Sequence, residues 1–349
     1  MDDFVRASVV VRSKDEADRL RLTLVSLACQ IERPEVVVVN DGSIDHTAGV
    51  LDEMRGELDL VVLHNEVPVG RSSAANVGAA QASGDIVIFL DGDTLAAPDM
   101  VARHMEQHRR RNKLIVRGET WHVRCTRPFL DPETGSARPG EEAKVTRMSA
   151  AELARSVVTR EQIRGSFGTV DRRAQPGIYP GFGPRKLYEL EMEALRAQTD
   201  CAVLWAAASG ANQSLDRRTF LQAGGFHSDL TINEHRELAL RLCSEGLNMA
   251  ACNGRTYHMI HRSGWRDPLK ELGWEELFYQ AHPLPEVALL PLLWESLNDM
   301  TSLPNASRIS SLSELAIASE RCRQIEGRQA VREAHLRNTA NLKSMIDVR

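Results

Sequence analysis

The sequence contains no Cys-x-x-Cys pair. Its six cysteines, Cys29, Cys125, Cys201, Cys243, Cys252 and Cys322, are dispersed over 349 residues. That spacing excludes a paired-cysteine metal or redox motif, and the thiols read as reduced and packed. No apolar stretch approaches the roughly 18 residues that a bilayer-spanning helix needs. The longest, Val287 to Trp294, is short and broken by Pro291. The opening residues, MDDFVRASVVVRSKDE, set acids around a short apolar run, unlike the basic and then long apolar segments of a secretory signal. The expectation is a soluble, cytoplasmic protein without a transmembrane segment. A net charge of −5 leaves no electrostatic footprint for nucleic acid. The conspicuous basic cluster, Arg109, Arg110, Arg111 and Lys113, falls at the end of a predicted helix, where it complements the helix dipole or faces solvent.

Also missing is a glycine-rich loop after the first apolar run, where Val11-Arg12-Ser13-Lys14 stands. This disfavours a dinucleotide oxidoreductase and a sugar-phosphate nucleotidyltransferase. There is no internal repeat and no low-complexity tract. Hydrophobic content of 42% and charged content of 26% are ordinary for a folded chain, and the length suits one elaborated α/β domain.

What is present is a regular alternation of strands and helices over the first hundred residues. Apolar runs at Ala7 to Arg12, Glu35 to Val39, Leu60 to Leu63 and Ile86 to Leu90 are expected as strands covered on both faces. Between them, Asp15 to Ile31 carries Leu20, Leu24, Leu27 and Ile31 at helical spacing, with Ser13 or Asp15 as its cap. Asp45 to Met54 and Arg71 to Ala82 follow as helices, the latter stopped by Gly84 as its C′ residue. Such alternation implies a parallel sheet with ligands beyond the carboxyl ends of its strands. From Gly118 to Gln198 the pattern gives way to Gly, Pro and charge, with one amphipathic helix at Ala150 to Arg164. This stretch reads as an insertion, not as core. A helix near Asn233 to Glu245, stopped at Gly246, presents Leu238 and Leu242. Beyond Asp267 the chain looks helical, with Leu269, Leu272, Trp274 and Leu277, then a polar helix near Ser313 to Leu342.

Two acidic turns fall at strand ends. In Asp91-Gly92-Asp93, carboxylates one residue apart can hold a hard divalent cation while leaving positions for phosphate oxygens and water, and Gly92 permits the close turn. A lone triplet of this kind is more often a solvated loop; its place after a buried strand, with a second acidic turn, favours the ligand reading. That second turn is Asn40-Asp41-Gly42-Ser43. In isolation it would be an Asx-turn capping the next helix. As a ligand, the Asp41 carboxylate accepts from a pyrimidine N–H that uracil offers and cytosine lacks. His258 and His261 form an i, i+3 pair, either structural or contacting metal or diphosphate. Trp205 and Trp265 are core residues or sugar-stacking platforms.

Together SVVVRSKDEADRL, EVVVVNDGSIDHT, GRSSAANVGAAQASGDIVIFLDGD and GANQSLDRRTFLQAGGF with NEHRELALRL resemble the inverting family 2 glycosyltransferases of the GT-A fold. The resemblance covers about residues 7 to 105, and 201 to 245 more loosely. It implies that Asp41 and Arg71 contact the nucleotide base, that Asp91 and Gly92 lie at the donor nucleotide, and that Asp93 ligates Mn²⁺ or Mg²⁺. Some GT-A relatives use downstream histidines at the metal, which brings in His258 and His261. The family's acceptor side usually shows Glu-Asp-x-Asp; here Glu234-His235-Arg236-Glu237 stands, so the base is Glu234 or His235.

The expected architecture is an α/β GT-A fold in four parts. These are residues 1–117 (donor half), 118–200 (insertion, acceptor specificity), 201–265 (acceptor half) and 266–349 (helical extension). The expected function is metal-dependent, inverting transfer from a nucleoside-diphosphate sugar, UDP-sugar favoured, to an unknown acceptor. The alternatives are a sugar-phosphate nucleotidyltransferase or a non-catalytic nucleotide-sugar-binding member of the family.

Overall fold

The structure, a computed structural model, describes residues 5–176, 186–197, 200–261, 273–297 and 301–346. Valine-rich β1 (Ala7–Ser13) lies parallel to β2 (Glu35–Asp41) and β4 (Ile86–Asp91), and β2 lies parallel to β3 (Asp59–Asn65). Helices α1 (Ala17–Ala28), α2 (Thr47–Met54) and α3 (Arg71–Gln81) make the crossovers. The sheet then continues through Gln213–Asp216, β6 (Leu114–Val123), Asn248–Met259 and the short β5 (Thr94–Ala96) at the far edge. Gln213–Asp216 is antiparallel to both its neighbours, and β5 is antiparallel to Asn248–Met259. The chain therefore passes from β4, mid-sheet, to the edge strand β5 through only Gly92 and Asp93. That crossing sets the acidic triplet across the carboxyl ends of the strands.

Both sheet faces are apolar because side chains alternate along each strand. Val9, Val11, Val36 and Val38 bury against Leu20, Leu24 and Leu27 of α1 and Met100 and Met105 of α4 (Met100–Arg110). Val10, Val37 and Phe89 face Ala75 and Ala79 of α3 and the helices Pro285–Ser296 and Leu312–Arg321. Each such valine or leucine is worth roughly 1.5–3 kcal/mol of burial. The C-terminal helices, which also include Gly273–Ala281 and Arg328–Ile346, thus complete one face of the core. Pro291 sits buried inside Pro285–Ser296. Leu269 and Leu272 lie outside the described residues. Among those described, no helix is long and apolar enough to cross a membrane.

Several expectations need correction. Helix α1 ends at Ala28, leaving Ile31 75% exposed beyond it. Neither Ser13 nor Asp15 caps α1; the Ala17 N–H is met by Asp45 from the β2–α2 loop. The strand β6 runs through the boundary expected at 117/118. Its polar second half, Gly118 to His122, hides the strand, which is held by pairing with Asn248–Met259. The helix expected at Ala150 to Arg164 is two, Ala150–Ser156 and Arg160–Gly165, each opened by its own capping box, from Ser149 to Glu152 and from Thr159 to Gln162. Val158, Ile163 and Val170 are buried against the α1 side, so this part of the insertion is core.

Gly84 is not a left-handed C′ residue; α3 ends at Ala82 in extended conformation. Glycine is needed there because an added Cβ would sit 2.7 Å from the Ser8 backbone nitrogen. The Gly84 N–H donates to Ser8 Oγ at 2.8 Å, and that hydroxyl donates to Glu35. Gly84→Ala is expected to cost about 1–3 kcal/mol by overpacking. Gly49→Ala, in α2 with open space around it, is expected to stabilise by roughly 0.5–1 kcal/mol. Urea unfolding midpoints that move in opposite directions check the pair; equal shifts would refute the packing argument.

Candidate active site

The site lies at the carboxyl ends of β1, β2 and β4. Asp41 closes β2, and its buried carboxylate organises the loop that leads into α3. Oδ1 accepts from Asn65 Nδ2 (2.8 Å) and the Val69 N–H (2.8 Å), and Oδ2 accepts from the Gly70 N–H (2.9 Å). A carboxylate offers about four acceptor positions, so among the described residues one on Oδ2 is left without a donor. The Asx-turn here belongs to Asn40, whose Oδ1 takes the Ser43 N–H at 3.1 Å.

Asp91 ends β4 between two guanidinium groups. Arg12 Nε donates to Oδ1 at 2.8 Å, and Arg71 Nη2, from the first turn of α3, lies 3.3 Å from both oxygens. The Asp91 carboxylate holds the Arg71 guanidinium above its ordinary range. Gly92 spends its N–H on the Arg12 carbonyl (3.1 Å) and its carbonyl on Thr23 Oγ1 (2.9 Å). A Cβ on Gly92 would fall 2.8 Å from Ser13 Oγ and against the Glu16 carboxylate. Burial, with Asp93 and Asp91 nearby, pushes Glu16 well above the usual carboxylate range.

Asp93 is buried and directs one oxygen at two histidines. His261 Nε2 is 2.7 Å and His258 Nε2 is 3.2 Å from Asp93 Oδ2, and Thr94 Oγ1 donates to Oδ1 at 3.0 Å. His258 reaches this point from the strand Asn248–Met259, which pairs with β5 so that His258 lies opposite Thr94. His261 follows two residues after that strand. Burial opposes a charged His258, but the Asp93 carboxylate outweighs it and raises the imidazole above its ordinary value. Burial likewise works against ionised Asp93, yet His258 and His261 bring it well below the usual range. Ligand atoms of Asp93, His258 and His261 all lie within 4.8 Å of one another. One carboxylate oxygen and two imidazole nitrogens on a single focus suit a divalent cation. His122 of β6 stands beside His258, ring centroids 5.3 Å apart, and burial lowers it to about 3, so it is neutral.

Glu234 opens the helix Glu234–Ser244. Asn233, in left-handed conformation (φ 66°), turns the chain into it. Glu234 is 3% exposed, with Arg12 Nη1 at 3.6 Å from Oε1 and His235 Nδ1 at 3.7 Å from Oε2. Burial pushes its pKa up, but His235, Arg12 and Arg71 together bring it far below the carboxylate range. His235 is lowered by burial, and its Nε2 lies 2.9 Å from Arg236 Nη1, which can only donate. That nitrogen's lone pair is therefore occupied. Glu237 points away, bound by Arg241 and His282, and Arg241 also holds the Ala223 and Gly225 carbonyls of the Gly224-Gly225-Phe226 loop. Trp205 is core, edge-on to Phe278, and Trp265 lies outside the described residues.

The structure thus gathers Asp93, His258 and His261 at one point, Asp91 with Arg71 beside it, and Glu234 across Arg12 from Asp91. Sequence reasoning passed over Arg12, Glu16, Asn65 and His122. Arg12 was legible only as a missing glycine, and His122 only through a pairing with His258 that spans 136 positions.

Residues 8–149 match the sequence profile of Glycosyl transferase family 2. Among curated proteins, the chain is 34% identical over 119 residues to the uncharacterized glycosyltransferase YfnE of Bacillus subtilis, covering 34% of this chain and 30% of that one. It is 31% identical over 100 residues to a poly-β-1,6-N-acetyl-D-glucosamine synthase of Staphylococcus aureus, covering 28% and 24%. The matched stretch spans under a third of these relatives. Among solved structures, S. aureus TarS in complex with UDP-GlcNAc superposes with a TM-score of 0.52 at 15% identity, covering 85% of this chain and 68% of that one. GalNAc-T7 with UDP, GalNAc and Mn²⁺ gives 0.51 at 17%, covering 82% and 52%. The architecture is the GT-A fold, and the stretch from residue 8 to 149 is similar to glycosyl transferase family 2.

Proposed function

We propose that this chain transfers a sugar from a nucleoside-diphosphate sugar to an acceptor nucleophile, with inversion and with a divalent cation. The observation that carries the reading is the convergence of Asp93, His258 and His261 beside the donor-side Asp91. A cation held there would neutralise charge developing on the leaving diphosphate. Two imidazoles among three ligands favour Mn²⁺ over Mg²⁺, which prefers oxygen. The acceptor oxygen bonds to the anomeric carbon as the carbon–phosphate-oxygen bond breaks, and the electron pair leaves with the diphosphate. Glu234, held ionised, takes the acceptor proton; His235 orients it, its own Nε2 being engaged by Arg236. Uridine is the favoured base because Asp41 Oδ2 keeps one acceptor position for a pyrimidine N–H. The similar structures of TarS with UDP-GlcNAc and of GalNAc-T7 with UDP support that choice.

A thermal-shift screen of nucleoside diphosphates, with and without Mn²⁺, tests the reading. UDP should stabilise the chain most, and only with the metal. Equal stabilisation by all nucleotides in chelator would remove its support. Asp41→Ala should weaken UDP binding by about 1–3 kcal/mol, the usual cost of a charge-assisted hydrogen bond. Discrimination against cytidine diphosphate should fall with it, and calorimetry reads both. Wild-type affinity for each nucleotide in a folded variant would reduce Asp41 to a loop-organising residue.

A further inference from the structure

We infer that Arg12 is a positioning residue that ties the donor-side carboxylate of Asp91 to the acceptor-side carboxylate of Glu234 through one guanidinium. The inference rests on the reading of Glu234 as the base. Arg12 is the penultimate residue of β1 and is 6% exposed. Nε donates to Asp91 Oδ1 at 2.8 Å, and Nη2 donates to the Gly210 carbonyl at 2.9 Å. Those two bonds fix the plane of a rigid fork, so the place of Nη1 is decided by them. Nη1 is buried, makes no hydrogen bond to any of the described residues, and faces Glu234 Oε1 at 3.6 Å.

A planar cation pinned on Asp91 therefore sets where the Glu234 carboxylate can rest and in which charge state. The charged and titratable groups facing Glu234 are Arg12 from β1, Arg71 from α3 and His235 on its own helix. Arg71 is half-exposed and engaged with Asp91, and His235 is a titratable imidazole that burial lowers. Arg12 is thus the buried permanent charge among them. An opposite charge this close to a buried carboxylate lowers its pKa by about one to three units. A lysine at position 12 could reach one carboxylate but has no fork with which to hold both.

The test follows UDP release from UDP-N-acetylglucosamine by the full chain with Mn²⁺, comparing wild type, Arg12→Lys and Arg12→Met across the pH range of the folded protein. Without the Arg12 charge the Glu234 pKa rises, so the ionised base is lost at higher pH. The acid limb of kcat/KM should move upward by about one to three pH units in Arg12→Met and by less in Arg12→Lys. A limb that stays in place while the rate falls would mean that Arg12 serves packing alone, overturning the inference. Thermal unfolding supplies an arm independent of turnover. The Tm loss in Arg12→Met/Glu234→Gln should be smaller than the sum of the two single losses; additive losses overturn the tie. If the wild type releases no UDP, the assignment of Glu234 as base fails by itself, and the Tm comparison still decides the tie.

Discussion

Asp93→Ala should abolish metal-dependent nucleotide binding and reduce turnover by roughly 10³-fold or more. Asp93 supplies the single carboxylate of the three-ligand cluster, and its Oδ2 is the point that both imidazoles share. Removing it leaves two histidines with no anion to balance a dication. Metal stabilisation of a leaving group is worth several kcal/mol, and each 1.36 kcal/mol is about tenfold in rate. His258→Ala and His261→Ala should each weaken Mn²⁺ binding less, because the carboxylate and one imidazole remain. Calorimetric titration of UDP into each variant, with Mn²⁺ and with chelator, reads the series. Equal Mn²⁺-dependent UDP binding by wild type and a folded Asp93→Ala variant would place the metal elsewhere.

Glu234→Gln should lower turnover by about 10²–10⁴-fold, the usual contribution of a general base, with UDP affinity little changed. The amide keeps the shape and removes the proton acceptor. The sign of the pH dependence follows from the site. Glu234 is held below the ordinary carboxylate range, so the active, ionised form is present above its depressed pKa and is lost only as pH falls through it. The acid limb should therefore lie below about pH 4.3, the unperturbed glutamate value. His235→Ala should cost much less, since Nε2 is already engaged by Arg236. A large loss in His235→Ala, with an acid limb near the ordinary histidine value of about 6.5, would transfer the base to His235.

Much of the first hundred residues was legible because their signals are local. Apolar runs of four or five residues separated by helical periodicity give β1 to β4 and the turns at Asp41 and Asp91. The position of a turn after a parallel strand fixes the side of the sheet on which it lies. The later part of the sheet was less legible because its strands do not advertise themselves. The second half of β6 and the strand Asn248–Met259 are polar, half-buried and antiparallel or edge-located in part, so pairing across the chain holds them where an apolar run does not. That pairing turns His258 and His261 from a spacing into a site, and it brings His122 alongside. Gly84 and Arg12 illustrate the same limit. The sequence shows a glycine after a helix and an arginine after a strand. What each does depends on the Ser8 backbone in one case and on Gly210 and Glu234 in the other, groups up to 222 positions away.

The central claim is metal-dependent glycosyl transfer from a UDP-sugar, and release of UDP tests it most directly. The full chain would be incubated with a panel of UDP-sugars, with Mn²⁺ and then with chelator, beside Asp93→Ala and Glu234→Gln as matched controls. The account predicts UDP release from at least one donor with Mn²⁺, its loss in chelator, and strongly reduced release by both variants. UDP release that survives chelation, or that both folded variants retain at the wild-type rate, would contradict it.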